Sequence, residues 1–287
     1  MKLSGMAIDL AIKENERGPV SAPHASEPSA QAGWFVAVGR AMLPLALVGL
    51  ASVTPFVGSD AAVLEGVAAL TLLSAVIGHH GCARLGVGLT ATLAASAFLP
   101  WQVGWWPVPG VVGVGVYLVS LAVPTGEPGR RRAILGLGRL TMAEAWMVAG
   151  LVVSSGSVLV MFSRLAPPRL GDGASLLTGL TPWSLVAAGA AFAVVNAFVE
   201  EVLFRGAVLY HLGRVLGSGP AVLVQALAFG MLHLNGYPYG LVGAALASVY
   251  GVMLGALRVW SGGLLAPWIA HVCADVVIFV LIVQAAT

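Results

Sequence analysis

Long apolar runs separated by short polar segments make up most of the chain from residue 34 onward. A helix needs about 20 mostly apolar residues to cross the hydrocarbon core of a bilayer. The pattern therefore predicts an all-α, polytopic transmembrane helix bundle with eight to nine spans, of which the run at 111–123 is the weakest. The runs are 34–57, 61–77, 85–101, 111–123, 142–162, 183 to beyond 210, 221–234, 241–257 and 264–283.

Composition agrees with this pattern. Apolar residues make up 59% of the 287 positions and charged residues only 9%, whereas soluble proteins are about 45–50% apolar and about one quarter charged. Lipid must therefore be the solvent for much of the surface. A formal net charge of +2 gives no reason to expect a nucleic-acid partner. Membrane lipid is therefore an expected partner.

The chain divides into three parts by character. Residues 1–33 mix charges with Ser, Pro and Ala and lack the apolar region of a signal peptide, which predicts a flexible N-terminal tail. Residues 34–180 are N-terminal membrane helices with few internal charges. Residues 181–287 form a membrane core that holds nearly all the polar residues within apolar runs, so chemistry is expected there. Arginines cluster in loops that share one face with the tail, so the N-terminus is expected in the cytoplasm.

Three polar sites interrupt the apolar runs of the C-terminal part. They are Asn196 with Glu200, Glu201 and Arg205, then Phe229 with His233, and finally His271 with Asp275. A charged side chain at mid-membrane costs about 2.5–3.5 kcal/mol on insertion scales. We therefore expect these side chains to face the bundle interior, where some of them pair.

Helical spacing indicates which groups of the first site pair. Glu201 and Arg205 are four residues apart and share a helix face, which predicts an ion pair that supports the site. Glu200 lies about 100° away around the helix and shares its face with Asn196. Glu200 is therefore free to point into a site of its own.

The polar residues together make a hydrolytic set without a serine or cysteine nucleophile. Glu200, as general base with His233, could activate water for attack on an amide carbonyl. His271 and Asp275, one helical turn apart, could then stabilise the oxyanion. Phe229 shares a helix face with His233.

At these residues the chain resembles the CPBP family of intramembrane peptidases, which contains CAAX proteases and bacteriocin-processing enzymes and is also called the Abi family. The corresponding segments read EEVLFR from Glu200, FGMLH from Phe229 and HVCAD from His271. The resemblance covers about the last hundred residues. It implies a helix bundle with an intramembrane site, in which Glu200 and His233 activate water and His271 and position 275 form the oxyanion site. Position 275 is Asp where well-understood prenyl-protein proteases have Asn, so Asp275 either donates in its protonated form or orients His271.

Two other classes of function stay open at this stage. Two His and one or two Glu could instead form a catalytic zinc shell, although the chain has no HExxH motif. A second candidate metal cluster is His79, His80 and Cys82. The glutamate mechanism needs no cofactor, and zinc is the alternative.

The other class is a non-enzymatic transporter or assembly protein, because buried carboxylates and histidines also build proton relays. The polar residues crowd one end of this chain, and no internal repeat is evident. The sequence determines neither the substrate nor the oligomeric state. Only two of the 14 basic residues are lysines, and this bias is typical of a GC-rich bacterial genome. We therefore expect a bacterial inner-membrane protein.

Overall fold

The computed structural model describes residues 42–53, 60–99, 106–123, 129–168, 177 and 179–286. The predicted tail at 1–33 and both ends of the first predicted run lie outside the described residues. The α-helices are α1 (Met42–Ser52), α2 (Asp60–Val76), α3 (His80–Phe98), α4 (Val108–Ala122), α5 (Arg130–Leu135), α6 (Met142–Leu165), α7 (Pro182–Glu200), α8 (Leu209–Leu216), α9 (Ser218–Leu232), α10 (Gly240–Ser261) and α11 (Leu265–Ala286). A π-helical segment, Glu201–Val208, joins α7 to α8.

The prediction of an all-α membrane protein is confirmed, but the predicted number of spans is not. Five helices are long and apolar enough to cross a bilayer, namely α3, α6, the continuous rod Pro182–Leu216, α10 and α11. The other four predicted runs correspond to α1, α2, α4 and α9, which are apolar helices only 10–17 residues long. A helix of 15 residues is about 22 Å long, shorter than the hydrocarbon core of about 30 Å. The arginine-rich segment read as a loop contains the short helix α5.

Side chains on the outer surface match a lipid environment. Leu72, Val119, Trp146 and Leu241 are each at least 67% exposed. Large exposed apolar side chains on several helices are costly in water and favourable in a bilayer. The chain is an integral membrane protein.

The helices pack in two groups. Helices α2, α3 and α4 pack against one another in chain order, while α9 packs on α10, and α11 packs on α6 and α7. Contacts of α4 with α7 and of α8 with α3 join the two groups. Two clusters of buried apolar side chains lie at these contacts. The larger includes Leu85, Tyr117 and Phe229, and a smaller one joins α6, α10 and α11 through residues such as Leu151 and Leu254.

Capping residues define where the helices of the second group begin. Thr141 and Glu144 form a capping box at the start of α6. The Thr181 hydroxyl accepts a hydrogen bond from the Ser184 backbone N–H at the start of α7, and Pro182 occupies the first turn. These signals fix the register of the two helices that flank α11.

An extended segment after α5 pairs with the turn between α10 and α11. The backbone N–H of Arg139 donates to Ser261 at 2.8 Å, and that of Leu264 donates to Gly136 at 2.8 Å. Gly138 and Gly263 lie so close that a Cβ built on Gly263 would be 2.0 Å from the backbone nitrogen of Gly138. Only glycine permits this approach, which ties the start of α11 to the middle of the chain.

Candidate active site

Five of the seven polar side chains singled out in the sequence line one cavity. Its volume is about 620 Å³, and its wall includes Asn196, Glu200, His233, His271 and Asp275. Among these, Glu200, His271 and Asp275 are each less than 9% exposed. Three elements distant in sequence therefore bring these residues to the same cavity.

The hairpin formed by α8 and α9 explains how Glu200 and His233 reach the same depth. Glu200 lies 16 residues before Leu216, the last residue of α8, and His233 lies 15 residues after Ser218, the first residue of α9. The chain reverses at Gly217, where φ is +78°. Because both arms rise 1.5 Å per residue where they are α-helical, His233 at the C-terminal end of α9 returns close to the level of Glu200.

The two carboxylate oxygens of Glu200 have different surroundings. Oε1 accepts a hydrogen bond from the indole Nε1 of Trp106 at 2.9 Å. Oε2 has no hydrogen-bond partner among the described residues and lies 3.5 Å from Nε2 of His271. Trp106 therefore holds Oε1 in place, while Oε2 is left to accept a further hydrogen bond.

Behind Glu200, its neighbour forms the predicted ion pair. Arg205 Nη1 donates to Oε1 of Glu201 at 2.8 Å, and both side chains are at most 1% exposed. The same oxygen lies 2.7 Å from Nδ1 of His271. An ionised carboxylate can only accept, so Nδ1 of His271 carries the proton in this pair.

Glu201 therefore orients His271 and turns its Nε2 towards the cavity. From there Nε2 faces Glu200 at 3.5 Å and Oδ1 of Asp275 at 3.8 Å. The predicted helix-face pairing of His271 with Asp275 thus gives proximity without a hydrogen bond. The orienting contact on His271 comes from Glu201.

Asp275 is held instead by Asn196. The amide Nδ2 of Asn196 donates to Oδ2 of Asp275 at 2.9 Å, and its Oδ1 accepts from Trp106 Nε1 at 2.7 Å. An indole N–H can only donate, so it fixes which end of the amide faces it. Asn196 thus connects Trp106 to Asp275.

Phe229 links the two histidines to the buried cation. The guanidinium carbon of Arg205 lies 4.4 Å from the centre of the Phe229 ring, and the ring of His233 lies 4.7 Å away. His233 Nδ1 is 2.9 Å from the Phe229 carbonyl oxygen. A carbonyl only accepts, so Nδ1 of His233 carries a proton and, in the neutral ring, Nε2 is left as an acceptor.

Apolar side chains and a loop complete the cavity. Most of the wall is apolar and comes from both groups of helices, and the loop after α9 contributes Tyr237 and Pro238. Tyr237 packs edge-on against Phe162 of α6, with ring centres 5.7 Å apart. Burial raises the pKa of the Tyr237 hydroxyl, so this group stays protonated at neutral pH.

The zinc alternative rested on the number of possible donor side chains. Within the described part of the chain, no group of three or more His, Cys, Asp or Glu side chains is arranged to hold a metal ion. His79, His80 and Cys82 fall within that part, and Cys82 is buried in α3. This donor set does not form the second cluster considered above.

Comparison with protein families identifies the stretch that carries these motifs. Residues 182–277 match the family described as Type II CAAX prenyl endopeptidase Rce1-like. This stretch is an Rce1-like domain. The resemblance inferred from the three motifs is thereby confirmed, and membership implies a peptidase that acts within the membrane on a protein or peptide substrate. Neither the curated proteins nor the solved structures gave a match to the chain.

The Rce1-like domain contains Asn196, Glu200, His233, His271 and Asp275 but not Trp106. Sequence analysis missed Trp106 because an aromatic residue next to an apolar run has no pattern that separates it from lipid-facing tryptophans. Its position directly before Pro107, at the start of α4, was the only available signal.

Proposed function

We propose that the protein is an intramembrane glutamic endopeptidase that hydrolyses a peptide bond of a membrane-associated protein or peptide. The observation that carries the proposal is that Glu200, His233 and His271 line one cavity, with no hydrogen-bond partner for Oε2 of Glu200 among the described residues. Intramembrane ionisable groups that share a cavity are functional by default. The Arg-over-Lys bias and the arginine-rich loops support a bacterial inner membrane with a cytoplasmic N-terminus.

In the proposed reaction, Oε2 of Glu200 takes a proton from a water molecule while Nε2 of His233 accepts a hydrogen bond from the same water. The oxygen of that water forms a bond to the amide carbon of the substrate. The carbonyl oxygen becomes negative, and the Nε2–H of protonated His271 donates to it. Asp275 contributes a second donor when protonated, because an ionised carboxylate can only accept. Transfer of the proton from Glu200 to the amide nitrogen then breaks the C–N bond and releases an amine and a carboxylic acid.

The test detects cleavage of any membrane protein, so the substrate need not be known in advance. Membranes from cells that produce the wild-type protein, Glu200→Gln or the matched control Glu65→Gln are compared for newly formed protein N-termini. Glu65 is a glutamate of α2 whose side chain is exposed and does not line the cavity. We expect new termini with the wild type and Glu65→Gln and none with Glu200→Gln. New termini that persist in Glu200→Gln would overturn the assignment of the base.

His233→Ala is expected to abolish the same termini, while its inserted amount stays at the wild-type level. A protein that transports a solute or only assembles with partners would produce no variant-dependent termini at all.

A further inference from the structure

Trp106 is the one side chain from outside the Rce1-like domain that donates a hydrogen bond to the predicted catalytic carboxylate within the described residues. Its indole Nε1 lies 2.9 Å from Oε1 of Glu200 and 2.7 Å from Oδ1 of Asn196. Both acceptors line the cavity. We propose that Trp106 is a positioning residue that fixes the Glu200 carboxylate so that Oε2 takes the proton from water.

The two oxygens of the Glu200 carboxylate differ in their hydrogen bonding. A carboxylate has two equivalent oxygens, and free rotation would present either one to the cavity. The single indole N–H is shared between Oε1 of Glu200 and Oδ1 of Asn196, while Oε2 lacks a hydrogen-bond partner among the described residues and lies 3.5 Å from His271 Nε2. A hydrogen bond to one oxygen removes that rotational freedom and leaves the other oxygen as the base.

Trp106 also sets the orientation of the Asn196 amide. The indole N–H cannot accept, so it sets Oδ1 of Asn196 towards Trp106 and Nδ2 towards Asp275, where Nδ2 donates at 2.9 Å. One donor thereby orders the carboxylate of α7 and, through the amide, the carboxylate of α11. Loss of that donor disturbs both sides of the proposed reaction.

The indole of Trp106 lies in a space that Gly110 leaves open. Gly110, in the first turn of α4, faces the Trp106 ring and Val199 of α7. A Cβ built at Gly110 would lie 2.7 Å from Cη2 of Trp106 and 2.7 Å from Cγ1 of Val199. The absence of a side chain at Gly110 therefore lets the indole lie between α4 and α7. On the same helix, a Cβ built at Gly115 meets no atom within 4 Å.

Because this role rests on the proposed peptidase function, two experiments separate the failure of one from the failure of the other. In the first, Trp106 is replaced by benzothienylalanine, in which sulfur takes the place of the indole N–H and the ring shape is kept. Loss of a hydrogen bond to a charged group corresponds to a decrease in kcat of about 10- to 100-fold. We expect that decrease with an unchanged KM and an unchanged unfolding midpoint, measured on a peptide that spans a cleavage site found in the membrane comparison. Wild-type kcat in this protein overturns the proposal.

Gly110→Ala and Gly115→Ala provide a genetically simple version of the same test. The first is expected to lower kcat because it displaces the indole, and the second is expected to retain it. If Gly110→Ala fails to fold, the benzothienylalanine protein still decides the question. Equal kcat for two folded glycine variants counts against the proposal.

The second experiment needs no turnover. In protein labelled with ¹⁵N-tryptophan, the indole N–H resonance of Trp106 is assigned from its loss in Trp106→Phe. Glu200→Ala is expected to move this resonance and to leave that of Trp268, whose Nε1 faces the Val194 carbonyl at 3.4 Å. If the chemical shift of the Trp106 indole N–H is the same in Glu200→Ala as in the wild type, the hydrogen bond between Trp106 and Glu200 does not exist and the proposal is overturned. If the resonance moves but the wild type cleaves nothing, the proposed function fails while the hydrogen bond stands.

Discussion

The buried ion pair Glu201–Arg205 gives the sharpest prediction of stability. Both side chains are at most 1% exposed, and Nε and Nη2 of Arg205 have no hydrogen-bond partner among the described residues. Glu201 is thus the carboxylate that compensates this cation. Removal of one member of a buried pair costs about 3–5 kcal/mol because it leaves an unpaired charge. We expect Glu201→Gln to lower the free energy of unfolding by that amount.

A double-mutant cycle separates the pair from the rest of the site. Arg205→Met leaves Glu201 with His271 as its remaining partner and should also lower the free energy of unfolding, whereas the double variant removes both charges of the pair. We expect the double variant to lose clearly less than the sum of the two, with a coupling energy of about 2 kcal/mol or more. Unfolding free energies are measured in bicelles with a denaturant titration.

Arg139 and Glu144 supply the matched control. Their charged groups are 3.8 Å apart, and the Arg139 side chain is 67% exposed. Arg139→Gln should therefore cost no more than about 1 kcal/mol. The reasoning is refuted if Glu201→Gln costs as little as Arg139→Gln, or if the effects of Glu201→Gln and Arg205→Met simply add.

Three further predictions concern packing and metal dependence. Phe229→Leu should lower kcat and the free energy of unfolding together, because it removes the ring between Arg205 and the two histidines; circular dichroism and turnover measured on one preparation check this. Gly263→Ala should reduce the folded yield through its clash with the Gly138 backbone, while Gly219→Ala, where a Cβ meets nothing within 4 Å, should not; size-exclusion profiles report the difference. Incubation with EDTA followed by gel filtration should leave the cleavage rate unchanged, and a rate restored only by zinc would favour the metal alternative.

The sequence was most informative where polar residues sit in apolar runs. Spacing alone predicted the pairing of Glu201 with Arg205, because residues four apart share a helix face. The apolar runs around His233 and His271 also predicted that both side chains face the bundle interior, because a polar group exposed to lipid is costly. The number of spans was harder to predict, because runs such as 61–77 and 111–123 are mostly apolar but coincide with helices, α2 and α4, that are too short to cross a bilayer.

Trp106 and the Glu201–His271 contact could not be predicted in this way. Both join residues at least 70 positions apart, and neither contact leaves a periodic trace. Sequence analysis gave Glu201 a supporting role through Arg205 only. Its second contact appears once α11 is packed against α7.

The π-helical segment determines how the rod responds to the loss of a residue. The backbone N–H of Leu209 donates to the Phe204 carbonyl five residues earlier, which is the π rather than the α pattern. Loss of any one residue from 201–208 would let ordinary α-helix form there. Because an i→i+5 turn holds one residue more than an i→i+4 turn, the two ends of the rod would keep about the same orientation, but residues within the segment would shift around the helix. A homologous chain that lacks one residue here should therefore keep α8 in place and lose the four-residue spacing of Glu201 and Arg205 if the missing residue lies between them.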